Sequence, residues 1–151
     1  MTRGHALVTG ALGGLGTAIT GLLLEQEYAV IACDRRADDA ESWLSNFSPT
    51  GRERLEFHAF DVRDLAQTLA LRDKLTQRNI HISYLINNAG IANIAPPWEM
   101  EPAAFDRVIQ VNLYGTYNLT RTFCGAMREA NFGRIVNFAS LAAVEPGAGM
   151  A

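Results

Sequence analysis

The sequence predicts a single α/β domain spanning residues 1–151, a doubly wound parallel sheet with helices on both faces. Three observations predict it. Short apolar runs alternate with longer segments of helical period along the whole chain. The run Ala29-Val30-Ile31-Ala32-Cys33 is apolar throughout, as a parallel strand buried on both faces should be. No linker, low-complexity tract or domain boundary interrupts the alternation, and strict β-α order implies right-handed crossovers between parallel strands.

Each element has a local reason. Ala6-Leu7-Val8 is the first predicted strand, and a glycine-rich turn leads into a helix from about Leu15 to Gln26 that points Ile19, Leu22 and Leu23 at the sheet. The second strand is Ala29 to Cys33. A polar helix follows near Ala37 to Phe47, then a loop at Pro49 to Gly51. Leu55 to Phe60 alternates in character and reads as a third strand. Asp64 caps the next helix, in which Leu65, Leu69, Leu71 and Leu75 are the apolar positions. Tyr84-Leu85-Ile86 is the fourth strand. After a Pro96-Pro97 loop comes a long helical stretch from about Pro102 to Ala130. Gly133 ends it, and Ile135 to Phe138 is the fifth strand.

Composition narrows the class. At 151 residues, a domain buries about 70% of the surface its unfolded chain exposes. With 48% apolar and 19% charged residues the chain falls among ordinary globular proteins, away from the disordered class. A net charge of −3 argues against nucleic acid or an anionic membrane surface as partner. No run approaches the roughly 18 apolar residues that span a bilayer. Thr2, Arg3, Gly4 and His5 lead into the first strand without a cleavage-like region, so the expected location is the cytoplasm. Cys33 and Cys124 lack ligand spacing, which predicts reduced, buried thiols and no metal site.

The strongest local signal is Thr9-Gly10-Ala11-Leu12-Gly13-Gly14-Leu15-Gly16, where the first strand meets the first helix. Pyrophosphate is held by backbone N–H groups at a helix N-terminus, which a side chain at the turn would obstruct. Gly10, Gly14 and Gly16 are assigned the positive φ, the close approach to phosphate and the helix–strand packing. The turn therefore makes the fold Rossmann-like. Leu12, Gly13 and Leu15 belong to the same cradle. Asp34 ends the second strand, where a carboxylate accepts hydrogen bonds from an adenosine ribose diol and repels a 2′-phosphate. Arg35 and Arg36 follow it and could instead receive that phosphate. The balance favours NAD over NADP.

Four further strings extend the pattern: Asp61-Val62 after the third strand, Asn87-Asn88-Ala89-Gly90 after the fourth, Val111-Asn112-Leu113-Tyr114-Gly115 on the long helix, and Gly133 to Ser140 through the fifth strand. With the glycine turn they fall in the order found in the short-chain dehydrogenase/reductase family, compact branch, and the chain resembles that family over nearly its whole length. It is similar to 3-oxoacyl reductases and to hydroxysteroid-type dehydrogenases about equally.

The resemblance implies hydride transfer between a nicotinamide and a secondary alcohol or ketone. It implies that Asp61 and Val62 meet the adenine, and that Asn88, Ala89 and Gly90 line the ribose. Ser140 would hydrogen-bond the substrate oxygen and Asn112 would hold a water in the proton relay. The family's remaining pair, Tyr-x-x-x-Lys, is not in the sequence. Tyr28, Tyr84, Tyr114 and Tyr117 precede Ala32, Asn88, Asn118 and Arg121 by four, and Lys74 is the single lysine. The expectation is therefore a domain incomplete on its C-terminal side, without turnover of its own. A non-catalytic dinucleotide-binding regulatory module is the alternative function. A sugar-nucleotide epimerase fits less well, because that branch spaces its glycines differently.

Two expectations concern partners. Ile91, Ile94, Pro96, Pro97, Trp98, Leu141 and Val144 lie in the loops after the fourth and fifth strands, pointing to a largely apolar small-molecule substrate. Phe105, Val108, Ile109 and Leu113 give the long helix more apolar surface than one sheet face needs, which with the resemblance implies a homo-oligomer, dimer or tetramer.

Overall fold

The computed structural model describes residues 4–145. Strands β1 (His5–Thr9), β2 (Ala29–Asp34), β3 (Leu55–Ala59), β4 (Ile82–Asn87) and β5 (Arg134–Asn137) form one parallel sheet in the order β3-β2-β1-β4-β5. The order reverses between β1 and β4, which opens a crevice at the carboxyl edge of the sheet, where ligands bind in folds of this kind. The helices are α1 (Gly14–Glu25), α2 (Ala40–Leu44), α3 (Pro49–Arg52), α4 (Leu65–Gln77), α5 (Pro102–Ile109) and α6 (Thr116–Glu129). A π-helical segment, Gln110–Gly115, joins α5 to α6, and a 3₁₀ turn, Leu141–Ala143, follows β5. The glycine- and alanine-rich tail after Glu145 lies outside the described residues, as do the first three.

The period of two along the central strands sorts their side chains between two cores. Leu7, Ile31 and Leu85 face one way, onto Leu71 and Leu75 of α4 and Leu119, Phe123 and Met127 of α6. Ala6, Val8, Val30, Ala32 and Ile86 face the other way, onto Leu24 of α1 and Trp43 of α2. The small alanines on this second face leave room for α1 to lie close to the sheet. β5 is exposed along its length, with Val136 49% accessible.

Several expectations are corrected. The predicted loop at Pro49 to Gly51 is instead the short helix α3: Ser48 Oγ accepts from Gly51 N at 3.1 Å, and Pro49 occupies the first helical position, where it lacks only an N–H that would go unpaired. The polar helix before it is shorter than Ala37 to Phe47, covering Ala40–Leu44. Leu22 does not face the sheet. Three consecutive leucines span more than half a helical turn, and the stripe set by Gly16 and Thr20 selects Leu24, leaving Leu22 60% exposed. Cys33 is buried as expected, but Cys124 is on the outer face of α6. The long helical stretch is present without a gap from Pro102 to Glu129, but Gln110–Gly115 within it is wound as a π-helix. Asp64 does cap α4, its Oδ1 accepting from Gln67 N at 3.1 Å.

Candidate functional site

A cleft of about 610 Å³ opens along the carboxyl ends of β1, β2 and β4. Its walls bring together Gly10, Gly13, Leu15, Gly16, Asp34, Arg35, Asp61, Val62, Asn88, Ala89 and Gly90. These come from four separate stretches of sequence. Leu12, Gly14, Asn112 and Ser140 are not on the wall itself.

The glycines divide the work at the first turn. Gly10 has φ +63°, a region that disfavours side chains, and a Cβ there would stand 2.9 Å from the Ala89 Cα. A Cβ on Gly16 would run into the Gly10 carbonyl and Ala11, so this glycine sets the approach of α1 to β1. Gly14 differs: a Cβ built on it meets no protein atom within 4 Å. No side chain caps α1, so its first N–H groups, which have no partner within the helix, carry the helix's partial positive charge. Open space over an uncapped helix start fits a pyrophosphate.

Thr9 binds this turn to the opposite wall. Its side chain is buried, and its Oγ1 accepts from Asn88 N at 3.1 Å and from Ala89 N at 3.0 Å. Asn88 Nδ2 returns two bonds, to the carbonyls of Thr9 (2.9 Å) and Gly10 (3.1 Å). Behind it, Asn87 Nδ2 donates to Asn137 Oδ1 at 2.8 Å and to Thr120 Oγ1 at 3.2 Å, tying β4 to β5 and α6.

Two strand-end carboxylates stand at the other end of the cleft. Asp34 accepts from Leu12 N at 3.2 Å, which is the role Leu12 has here, and from Arg36 through both N and Nε at 3.2 Å. Asp61 is held in the same way by Arg63, through N and Nε at 3.0 Å and Nη2 at 2.6 Å. The hydrogen bonds from Arg63 hold the Asp61 carboxyl below the usual carboxylate range. With Arg35 also on the wall, three guanidinium groups face two carboxylates around this end. The signal for Arg63, which the sequence reading does not include, is the repeated Asp-x-Arg at 34–36 and 61–63.

Asn112 reaches the cleft through the backbone of Ile91. Its Oδ1 accepts from Ile91 N and its Nδ2 donates to Ile91 O, both at 2.9 Å. It sits in the π-helical segment, a local widening that recurs at functional sites. Ser140 stands beyond the carboxyl end of β5, exposed, where its Oγ accepts from Ala142 N at 3.2 Å and opens the 3₁₀ turn.

Comparison with known proteins agrees with this geometry. The model of the short chain dehydrogenase family matches residues 4–151. The chain belongs to that family. It is 34% identical over 142 residues to an acetoacetyl-CoA reductase from Cupriavidus necator, covering 93% of this chain and 57% of the relative. The chain thus spans little more than half the length of that relative. Among solved structures it is similar to ElxO with NADP bound (TM-score 0.91, 25% identity, 99% of this chain and 60% of that one). It is also similar to an NAD⁺-bound xylitol dehydrogenase (TM-score 0.88, 28% identity, 99% and 57%). Among the described residues no helix is long and apolar enough to cross a membrane.

Proposed function

We propose that this chain is the dinucleotide-binding part of an oxidoreductase that moves a hydride between a nicotinamide and a secondary alcohol or ketone. The observation that carries the reading is the uncapped start of α1, with open space over Gly14, facing a cleft that ends in the carboxylates of Asp34 and Asp61. The nicotinamide, when bound, supplies the hydride donor or acceptor. The protein's own groups do the rest. The α1 N–H groups hold the pyrophosphate, Asp34 takes the adenosine ribose, and Asp61 and Val62 border the adenine. Asn88, Ala89 and Gly90 line the second ribose. Ser140 Oγ orients the substrate oxygen, and Asn112 fixes the Ile91 loop beside it while holding a water of the proton relay.

NAD is the preferred dinucleotide by a narrow margin. Asp34 faces the ribose, yet Arg36 compensates its charge and so weakens its exclusion of a 2′-phosphate. An apolar substrate of the 3-oxoacyl kind suits the exposed side chains beyond β4 and β5: Ile94 is 69% accessible, Trp98 82%, Leu141 68% and Val144 76%. The exposed Phe105, Leu113 and Tyr117 of the α5–α6 stretch support a homo-oligomer built on that face, and the reading places the protein in the cytoplasm.

The 151 residues hold no Tyr followed four positions later by Lys. Positioned proton transfer contributes about 10²–10⁴-fold in enzymes, and no His lies near Ser140 in the sequence to replace it. The polypeptide by itself is therefore proposed to bind without turnover. Calorimetric titration with NADH, beside an assay of NADH consumption over a panel of ketones, tests both parts. Saturable binding without consumption is the expected pair of results. Absence of binding contradicts the first part, and substantial consumption contradicts the second.

A further inference from the structure

The start of α6 and the π-helical segment before it touch both walls of the cleft. On one side Asn112 holds the Ile91 backbone through two bonds of 2.9 Å. On the other side Asn118, buried to 7% exposure, donates from Nδ2 to the Val62 carbonyl at 3.1 Å and to the Arg63 carbonyl at 3.4 Å. Val62 is also met sterically. A Cβ on Gly115 would stand 2.6 Å from Val62 Cγ2 and 3.1 Å from its Cβ, so only glycine lets the helix approach this closely. A buried amide spent on two loop carbonyls and a glycine pressed against the same loop are independent observations. Both fix Asp61-Val62-Arg63 relative to the sheet.

We propose that Asn118 and Gly115 are positioning residues for the adenine end of the cleft, holding Val62 in place from behind without touching the dinucleotide. The inference rests on the dinucleotide reading above. Asn118 is buried, and a buried amide left unpaired is costly, so its two bonds to the Val62 and Arg63 carbonyls keep the loop from drifting. Losing the amide donors releases the segment that carries both Asp61 and the Val62 backbone. The nicotinamide side, held by Asn112 and by Thr9, has separate supports.

Binding of two half-ligands to the full chain separates this role from a general loss of stability. Adenosine probes the adenine end without phosphate or charge, and reduced nicotinamide mononucleotide probes the other end. Asn118→Asp keeps the shape but presents a carboxylate to two carbonyls. It is expected to weaken adenosine binding about tenfold near pH 8, a loss of about 1.4 kcal/mol. The loss should ease towards about pH 5.5, where a protonated carboxyl, favoured by burial against carbonyl oxygens, donates one bond again. Gly115→Ala should weaken adenosine without that pH dependence. Mononucleotide binding should stay within about twofold in both variants.

Variants that bind adenosine like the wild type overturn the inference while leaving the dinucleotide reading intact. Equal loss of both probes, with no easing at low pH for Asn118→Asp, overturns it as well, since that is mere destabilisation. A wild-type chain that binds neither probe overturns the dinucleotide reading itself and the inference with it.

Discussion

Arg36 closes a fork on Asp34, donating to Oδ1 from its backbone N and its Nε at 3.2 Å and reaching Oδ2 with Nη2 at 3.4 Å. The Asp34 side chain is 9% exposed, whereas the Arg36 side chain is 47% exposed. The carboxylate is therefore a buried part of the cleft wall and the guanidinium is its solvent-facing counter-charge.

That relationship sets the first prediction, on dinucleotide choice. NAD should bind about tenfold or less more tightly than NADP, a difference of about 1.4 kcal/mol or less. Arg36→Ala should widen the gap, because it bares the Asp34 charge and removes a phosphate partner. Asp34→Ala should narrow it. Fluorescence titrations with both reduced cofactors check this. A wild-type preference for NADP would show that Arg35 and Arg36 govern the site.

Thr9 gives the second prediction, on stability. Thr9→Val conserves shape but leaves the N–H groups of Asn88 and Ala89 without their acceptor. A buried donor left unpaired costs about 1–3 kcal/mol, and for a domain of this size each kcal/mol lowers Tm by about 2–4 °C. Thr9→Ser, which keeps the hydroxyl, should lose much less. Thermal denaturation of the two variants decides the matter, and equal Tm values would remove Thr9 from its proposed place.

Much of this arrangement was legible in the sequence, because it depends on backbone rules. The glycine turn, the capped start of α4 and the apolar run of β2 each reflect a local constraint that a few residues state on their own. What was not legible depends on tertiary contact. Nothing in Leu22-Leu23-Leu24 says which leucine faces the sheet until Gly16 and Thr20 fix the helix's rotation. The burial of Asn118 was hidden for the same reason, since a lone amide on a helix declares no partner. Arg63 could have been noticed from the second Asp-x-Arg. The Ser48-Pro49 pair could have been recognised as a helix start.

The third prediction concerns pH. Burial holds the His58 imidazole below its ordinary value of about 6.5, against the opposing pull of Glu56, whose Oε1 is 2.8 Å from Nε2. His5 is lowered in the same direction, first by burial. The unfolded chain then binds more protons than the folded one between the ordinary and lowered values. Stability is thus retained above about pH 6.5 and is lost as pH falls from there through the folded values. Asp61 and Glu56, lowered by their arginine partners, extend the loss below about pH 4. His58→Gln should flatten part of the decline in Tm between about pH 7 and pH 5. An unchanged slope would contradict the assignment.

A pyrophosphate held at the start of α1 should be sensitive to Gly14→Ala. The added methyl meets no protein atom within 4 Å, and replacing glycine near a helix start should leave stability unchanged or raised by up to about 1 kcal/mol. Tm should hold while NADH affinity, measured by calorimetry beside the wild type, falls by about tenfold or more. Undiminished NADH binding by Gly14→Ala, with the fold intact, would mean that the start of α1 does not hold the pyrophosphate.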